Sequence, residues 1–345
     1  MKACVLESVG KLCLKEVPTP KPRSGEVLLR VRACGICSSD IDRIFKTGAY
    51  HFPMIPGHEI AGEVVEVGKN VDKALLNQRA VVFPLMPCFE CPSCLEGQYA
   101  RCDHYNYFGS RCDGGFAEYL AVPTWNLKLF PNHLSFPVAA MCEPASVALH
   151  AVDKAQIRSG NTVSIVGSGT IGILAAMWAK IAGAGRIILI GRNQAKLKCA
   201  QSLNLCETVN IREHEPIGYV DEATAGKGAD ISMEFVGTSE GLTTAISTTK
   251  KGGMVVATGN PNGEICLERS VYWKILRNEL NIRGTWNSSF SSTRNDWDIT
   301  LSYMSNGLLN PETLISDFVP LDKFQLAFDK LRNKKDVIKI VLDLN

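Results

Sequence analysis

The sequence predicts an α/β fold: a doubly wound parallel sheet joined to a mostly β domain that carries a metal-binding lobe. Three observations predict it. Short alternating runs broken by Gly and Pro fill the first 150 residues. Buried-type strands and helices alternate from about residue 160 onward. Four cysteines in C-x2-C-x2-C-x7-C spacing lie inside the first part. The chain has 345 residues, enough for two domains, and is 46% hydrophobic and 21% charged, the balance of a globular protein. Lys+Arg 37 against Asp+Glu 35 leaves a net charge of +2. A dedicated nucleic-acid binder would need a basic excess. No apolar run reaches the ~20 residues of a membrane span, and residues 1–10 lack a secretory core. A cytosolic chain is expected, so its 13 cysteines are read as thiols or metal ligands and not as disulfides.

Residues 26–32 alternate apolar and charged side chains, as a half-buried strand does, and 61–67 and 79–83 are similar. Pro18, Pro20 and Pro22 mark an extended loop before the first of these. Near residue 150 the pattern changes. Residues 162–166 form a short apolar strand, 171–182 a helix, 186–190 a strand and 193–203 a helix. Strands follow at 230–235 and 253–258, and the pattern fades around 281–286. Alternating strand and helix implies a parallel sheet covered on both faces. A helix at 321–333 and a strand at 336–342 close the chain, the strand being expected to return to the first domain. The expected division is 1–149, 150–285 and a returning segment 286–345.

Cys88, Cys91, Cys94 and Cys102 fit a zinc ion with four thiolates, and Pro87, Pro92 and Gly97 supply the turns. Such a closed site is structural. An iron–sulfur cluster also uses four cysteines, and four unrelated buried thiols are the plainest alternative. A nucleic-acid zinc module is disfavoured because Arg101 and Arg111 face Glu90, Glu96 and Asp103 nearby in sequence.

Further ligand types occur at Cys37, at His58-Glu59 and at Cys142-Glu143. One Cys, one His and one or two carboxylates make the mixed set of a catalytic zinc that keeps a position open. Gly57, Gly62 and Gly68 stand around the His-Glu pair, where a chain turns tightly.

Residues 163–172 read G-x-G-x-x-G after a strand and into a helix. This is the context in which the motif binds a dinucleotide, as in the Rossmann fold. Gly167 makes the turn, Gly169 admits the pyrophosphate, and Gly172 allows close packing, with Thr170 and Ile171 at the helix start. NAD enzymes place an acid after the second strand. Here Gly191-Arg192 stands there. An arginine can hold a 2′-phosphate by charge-assisted hydrogen bonds, so NADP(H) is expected over NAD(H).

Together these residues resemble the zinc-containing medium-chain dehydrogenases, over essentially the whole chain. Within that family the resemblance is closest to the galactitol-1-phosphate 5-dehydrogenases, through 42–49, 84–89, 108–119 and 274–280. The resemblance implies a GroES-like catalytic domain and two zinc ions per chain. It implies Cys37, His58 and Glu59 at the catalytic zinc, with Glu143 as a further ligand, direct or through water. Ser39 falls on the hydroxyl residue that passes the substrate proton, and Asp40 on a position that orients ligands. Asp42 stands where many relatives end the relay with His. The substrate implied is a polyol or polyol phosphate, anchored by Arg43, Lys46 or Arg111, with Lys274 and Arg277 as further candidates. A homodimer or homotetramer is implied. The alternatives are an unphosphorylated polyol or other secondary alcohol as substrate, and a zinc-stapled binding protein without chemistry.

Overall fold

A computed structural model describes residues 1–261, 263–333 and 336–344. The chain divides into two compact units. One comprises Met1–Ser146 with Ser289–Asn345, the other Val147–Ser288. The sequence placed these divisions at 149/150 and 285/286. Among the described residues no helix is long and apolar enough to cross a membrane.

The first unit is built on a mostly antiparallel sheet. Its strand order is Ile315–Pro320, Lys339–Asp343, Glu26–Gly35, Glu59–Val67, Arg79–Val82, Leu127–Leu129, and Tyr119–Pro123 also pairs with Glu26–Gly35. The alternation at 26–32 has its expected consequence. Val27, Leu29 and Val31 are fully buried, while Arg30 and Arg32 are half-buried. Their core is completed by Ile60, Phe116, Phe328 and Ile340. An N-terminal hairpin, Lys2–Ser8 with Lys11–Glu16, adds Leu6 to it.

The last strand starts at Lys339, three residues later than the sequence predicted, and lies antiparallel to Glu26–Gly35 with Val341 opposite Gly35. That register carries Lys339 inside. Its Nζ donates to both oxygens of Glu59, at 2.6 and 2.8 Å, and to the Ile36 carbonyl at 3.1 Å. The two side chains are 3% and 1% exposed.

The second unit is a six-stranded parallel sheet. Its order is Glu207–Asn210, Arg186–Gly191, Thr162–Val166, Ala229–Glu234, Thr249–Ala257, Asn281–Gly284. This is the doubly wound order 3-2-1-4-5-6, with the direction of winding reversed beside the first strand. The apolar strand 162–166 lies centrally because Val163 and Ile165 can be buried completely. Where the sequence pattern fades, Asn281–Gly284 is a sixth strand, paired with Thr249–Ala257. It is an edge strand whose residues are mostly exposed, so it lacks the apolar run that marked the others.

Removing one member of a buried ion pair strands its partner at a cost of about 3–5 kcal/mol. Lys339→Met is therefore expected to lower the denaturant midpoint of the metal-free protein strongly. The double variant Lys339→Met/Glu59→Gln should recover part of the loss. A double variant no more stable than the single one contradicts the pairing.

Candidate functional site

The four-cysteine lobe is assembled by short turns. Cys91 caps the helix Pro92–Leu95, and the 3-10 turn Tyr99–Arg101 delivers Cys102. The Cys88 backbone N–H donates to Cys102 Sγ at 3.2 Å, and the Cys91 N–H to Cys88 Sγ at 3.4 Å. Cys88 Sγ stands 3.9 Å from Cys94 Sγ and 3.5 Å from Cys102 Sγ, and all four sulfurs lie within 4.8 Å of one another. Four thiolates at ~2.3 Å around one ion are about 3.8 Å apart, so the lobe fits zinc. Backbone N–H groups from Asp103 and Cys94 lower the Cys91 thiol to about 6. Burial and the neighbouring thiols push Cys94 up to about 12. A cation resolves that conflict by taking thiolates.

The second cluster lies where the strand Glu26–Gly35 ends and the strand Glu59–Val67 begins. Cys37 Sγ, one His58 ring nitrogen and one Glu59 oxygen lie within 4.8 Å of one another. Gly57 at φ +96° sets the turn before His58, and a side chain there would strike the Phe116 ring. Asp40, fully buried, locks the arrangement from behind. It accepts from the Cys37 N–H at 3.0 Å and from Arg43 at 3.2 Å. Its Oδ1 also approaches His58 Nδ1 to 3.3 Å, an ion-pair approach without hydrogen-bond alignment. Burial disfavours charge on His58, but the Asp40 carboxylate and Cys37 overcome it and hold the imidazole well above its ordinary value. Glu143, buried in the first turn of the helix Cys142–Ala155, stands outside the close trio. Burial and the charge of Glu59 push it up to about 7 against the pull of His58 and Lys339. Negative groups thus crowd a buried space that holds few cations. A divalent ion fits that donor set.

In the second unit Gly167, at φ +116°, turns the chain from the strand Thr162–Val166 toward the helix Thr170–Ile181, which Gly169 caps. A side chain on Gly172 would collide with the Gly167 carbonyl, whereas one on Gly169 would meet nothing within 4 Å. The first glycine pair closes the turn and Gly169 leaves open space for a phosphate at the helix start. Gly191 ends its strand against Ser168, and Arg192 beyond it is exposed. The neighbouring strand ends in register, Gly191 opposite Asn210. Two residues on stands Arg212, also exposed, its backbone N–H donating to Asn210 Oδ1 at 3.1 Å.

Comparison with known proteins bears on this geometry. Residues 23–132 match the alcohol dehydrogenase GroES-like domain, and 170–306 match the zinc-binding dehydrogenase domain. Sorbitol dehydrogenase of Bacillus subtilis (strain 168) is 30% identical over 349 residues, covering 99% of this chain and 97% of that protein. Galactitol 1-phosphate 5-dehydrogenase of Escherichia coli (strain K12) is 32% identical over 336 residues, covering 96% and 97%. The chain belongs to the zinc-containing medium-chain dehydrogenases. The crystal structure of galactitol-1-phosphate dehydrogenase from Escherichia coli superposes with a TM-score of 0.93 at 31% identity, covering 99% of this chain and 100% of that one. A structure assigned as a zinc-binding dehydrogenase from Sinorhizobium meliloti 1021, bound to NADP, gives 0.90 at 30% identity, covering 99% and 98%. The protein is thus an oxidoreductase of the zinc-type alcohol and polyol dehydrogenase class.

Within this dehydrogenase the structure sorts the residues singled out from sequence. It brings Cys37, Asp40, His58 and Glu59 together, and Ser39 is half-buried on the helix Ser38–Asp42 beside them. It turns Arg43 inward onto Asp40. Lys46 pairs with Asp42 at 2.7 Å at the surface. Lys274 and Arg277 lie on the helix Arg269–Arg277 of the other unit, with Arg277 4.9 Å over the Trp273 ring. Arg111 lies between Tyr50 and Tyr105. Sequence reasoning missed two residues beside this cluster. Lys339 was detectable as a lysine inside an apolar strand. Tyr107, edge-on to His58 at 5.9 Å, carried no local signal.

Asp40→Asn removes the charge that favours the protonated imidazole. The His58 pKa in the metal-free protein is expected to fall, read by ¹⁵N NMR titration. An unchanged value contradicts the role given to Asp40.

Proposed function

We propose that this dehydrogenase interconverts a secondary alcohol of a sugar-alcohol phosphate, galactitol 1-phosphate or a similar compound, and its ketone, with NADP(H) preferred over NAD(H). The observation that carries the reading is the close trio of half-buried Cys37 with buried His58 and Glu59, backed by Asp40 and Lys339. Zinc bound there would supply Lewis acidity and the nicotinamide would supply the hydride chemistry. The chain's own part is to hold and orient. Cys37, His58 and Glu59 grip the ion, with Glu143 as a further ligand, direct or through water. Asp40 fixes the His58 ring. Ser39 passes the substrate proton outward. Asp42 replaces the usual end of that relay and is tied to Lys46, so the proton leaves through water or along the substrate. Cys88, Cys91, Cys94 and Cys102 hold a second, structural ion. Gly167, Gly169, Thr170, Ile171 and Gly172 seat the pyrophosphate. Arg192 meets the 2′-phosphate, and Gly191 ends the strand that carries it there.

The phosphorylated substrate is supported by the likeness to galactitol 1-phosphate 5-dehydrogenase. A second reading, an unphosphorylated polyol, is supported by the likeness to sorbitol dehydrogenase. Steady-state kinetics with each polyol and each cofactor separate the two readings. A homo-oligomer in the cytosol completes the proposal.

Two outcomes are expected. Cys37→Ser should lose turnover and one of two zinc ions per chain while the melting temperature stays close to wild type. Cys94→Ser should lose the other ion and lower the melting temperature. Equal effects on stability contradict the two-site assignment. A charge-assisted hydrogen bond contributes about 1.5–3 kcal/mol, so Arg192→Ala should lower kcat/KM with NADP about tenfold or more and raise the NAD:NADP ratio. A wild-type enzyme tenfold better with NAD overturns the cofactor preference.

A further inference from the structure

Arg111 is a cation without a counter-ion. Among the described residues no carboxylate pairs with it, whereas Arg43 is taken by Asp40 and Lys46 by Asp42. Its guanidinium carbon lies 4.5 Å from the Tyr50 ring centre and 4.2 Å from that of Tyr105. Two electron-rich rings therefore stand against the cation. The in-plane fork of N–H donors keeps capacity to spare. Nη1 reaches the Tyr105 carbonyl and Nη2 the Tyr50 hydroxyl, each at a long 3.4 Å, out of five N–H groups. The clamp is tied at its base. The ring nitrogens of His51 face the Pro53 carbonyl at 3.2 Å and the Arg111 carbonyl at 3.3 Å, which pins the 50–53 loop beside the arginine.

The clamp connects to the metal-binding imidazole through rings. Tyr105 is edge-on to Tyr107 at 6.3 Å, and Tyr107 is edge-on to His58 at 5.9 Å. A molecule that places its carbinol at His58 and lies along these rings reaches the unpaired Arg111 at their far end.

We propose that Arg111, with the Tyr50 and Tyr105 rings against its guanidinium, binds the phosphate monoester at the far end of the substrate, with Tyr105 and Tyr107 as the wall between that end and the reacting carbon. This inference rests on the phosphorylated-substrate reading given above. A phosphate monoester carries about −1.5 to −2 charge at pH 7. A planar guanidinium offers it two parallel N–H bonds, which an ammonium cannot.

The test uses zinc-loaded full-length enzyme and compares kcat/KM for galactitol 1-phosphate with that for galactitol. Arg111→Gln should reduce the wild-type preference for the phosphorylated compound at least tenfold, mainly through its KM. Arg111→Lys, which keeps the charge and loses the planar fork, should lose less. Tyr50→Leu, which removes one of the two ring contacts, should lose several-fold. Inorganic phosphate should compete with galactitol 1-phosphate in wild type and do so more weakly in Arg111→Gln. Lys46→Gln should keep the wild-type preference. A wild type that favours the phosphate while Arg111→Gln favours it equally overturns the clamp and leaves the substrate reading standing. A wild type indifferent to the phosphate overturns that reading and the clamp with it. Should Arg111→Gln not fold, wild-type preference in both Arg111→Lys and Tyr50→Leu overturns the clamp.

Discussion

A carboxylate shut away from water needs a positive partner, and Glu59 has one in Lys339. The pair joins the second strand of the catalytic sheet to the last strand of the chain. Much else follows from that bond. Lys339 reaches Glu59 only if Lys339–Asp343 lies against Glu26–Gly35 in its observed register. That register brings the C-terminal segment back onto the first unit and seals Cys34 and Ile36 beneath it. Glu59 is held by both oxygens, so its neighbour His58 is held as well. The geometry of the candidate metal centre is thus a consequence of sheet pairing and not of a flexible loop.

The same bond leaves the site short of positive charge. Lys339 serves Glu59 and Arg43 serves Asp40. Cys37 and Glu143 share the charge of His58 and Lys339 with Asp40 and Glu59. Glu143 raised to about 7 and an imidazole held well above its usual range both record the excess of negative groups. A divalent ion relieves that excess. The four-cysteine lobe is the simpler case: its sulfurs stand at the spacing zinc asks for, in a loop with little apolar content of its own to hold it.

Much of this was legible in the sequence where a signal was local. The strand Thr162–Val166 is wholly apolar or small, and the glycine turn follows it directly, so strand, turn and helix could be read together. The cysteine spacing is equally local. What escaped was long-range. Lys339 finds Glu59 across 280 residues, and Arg111 meets Tyr50 across 61. A lysine inside an apolar strand marks Lys339 as unusual, but nothing near either end names its partner. Asn281–Gly284 escaped for the opposite reason: an edge strand has one side unpaired and keeps polar residues, so its sequence resembles a loop. Of the five basic residues picked by charge, the fold neutralises two and stacks a third on a tryptophan, which charge counting alone cannot foresee.

The central claim is that Cys37, His58 and Glu59 grip a catalytic ion distinct from the one in the cysteine lobe. Zinc-edge X-ray absorption on the purified enzyme tests it most directly. The account predicts a mixed first shell, with sulfur at about 2.3 Å and nitrogen and oxygen at about 2.0–2.2 Å. A shell of sulfur alone would contradict it.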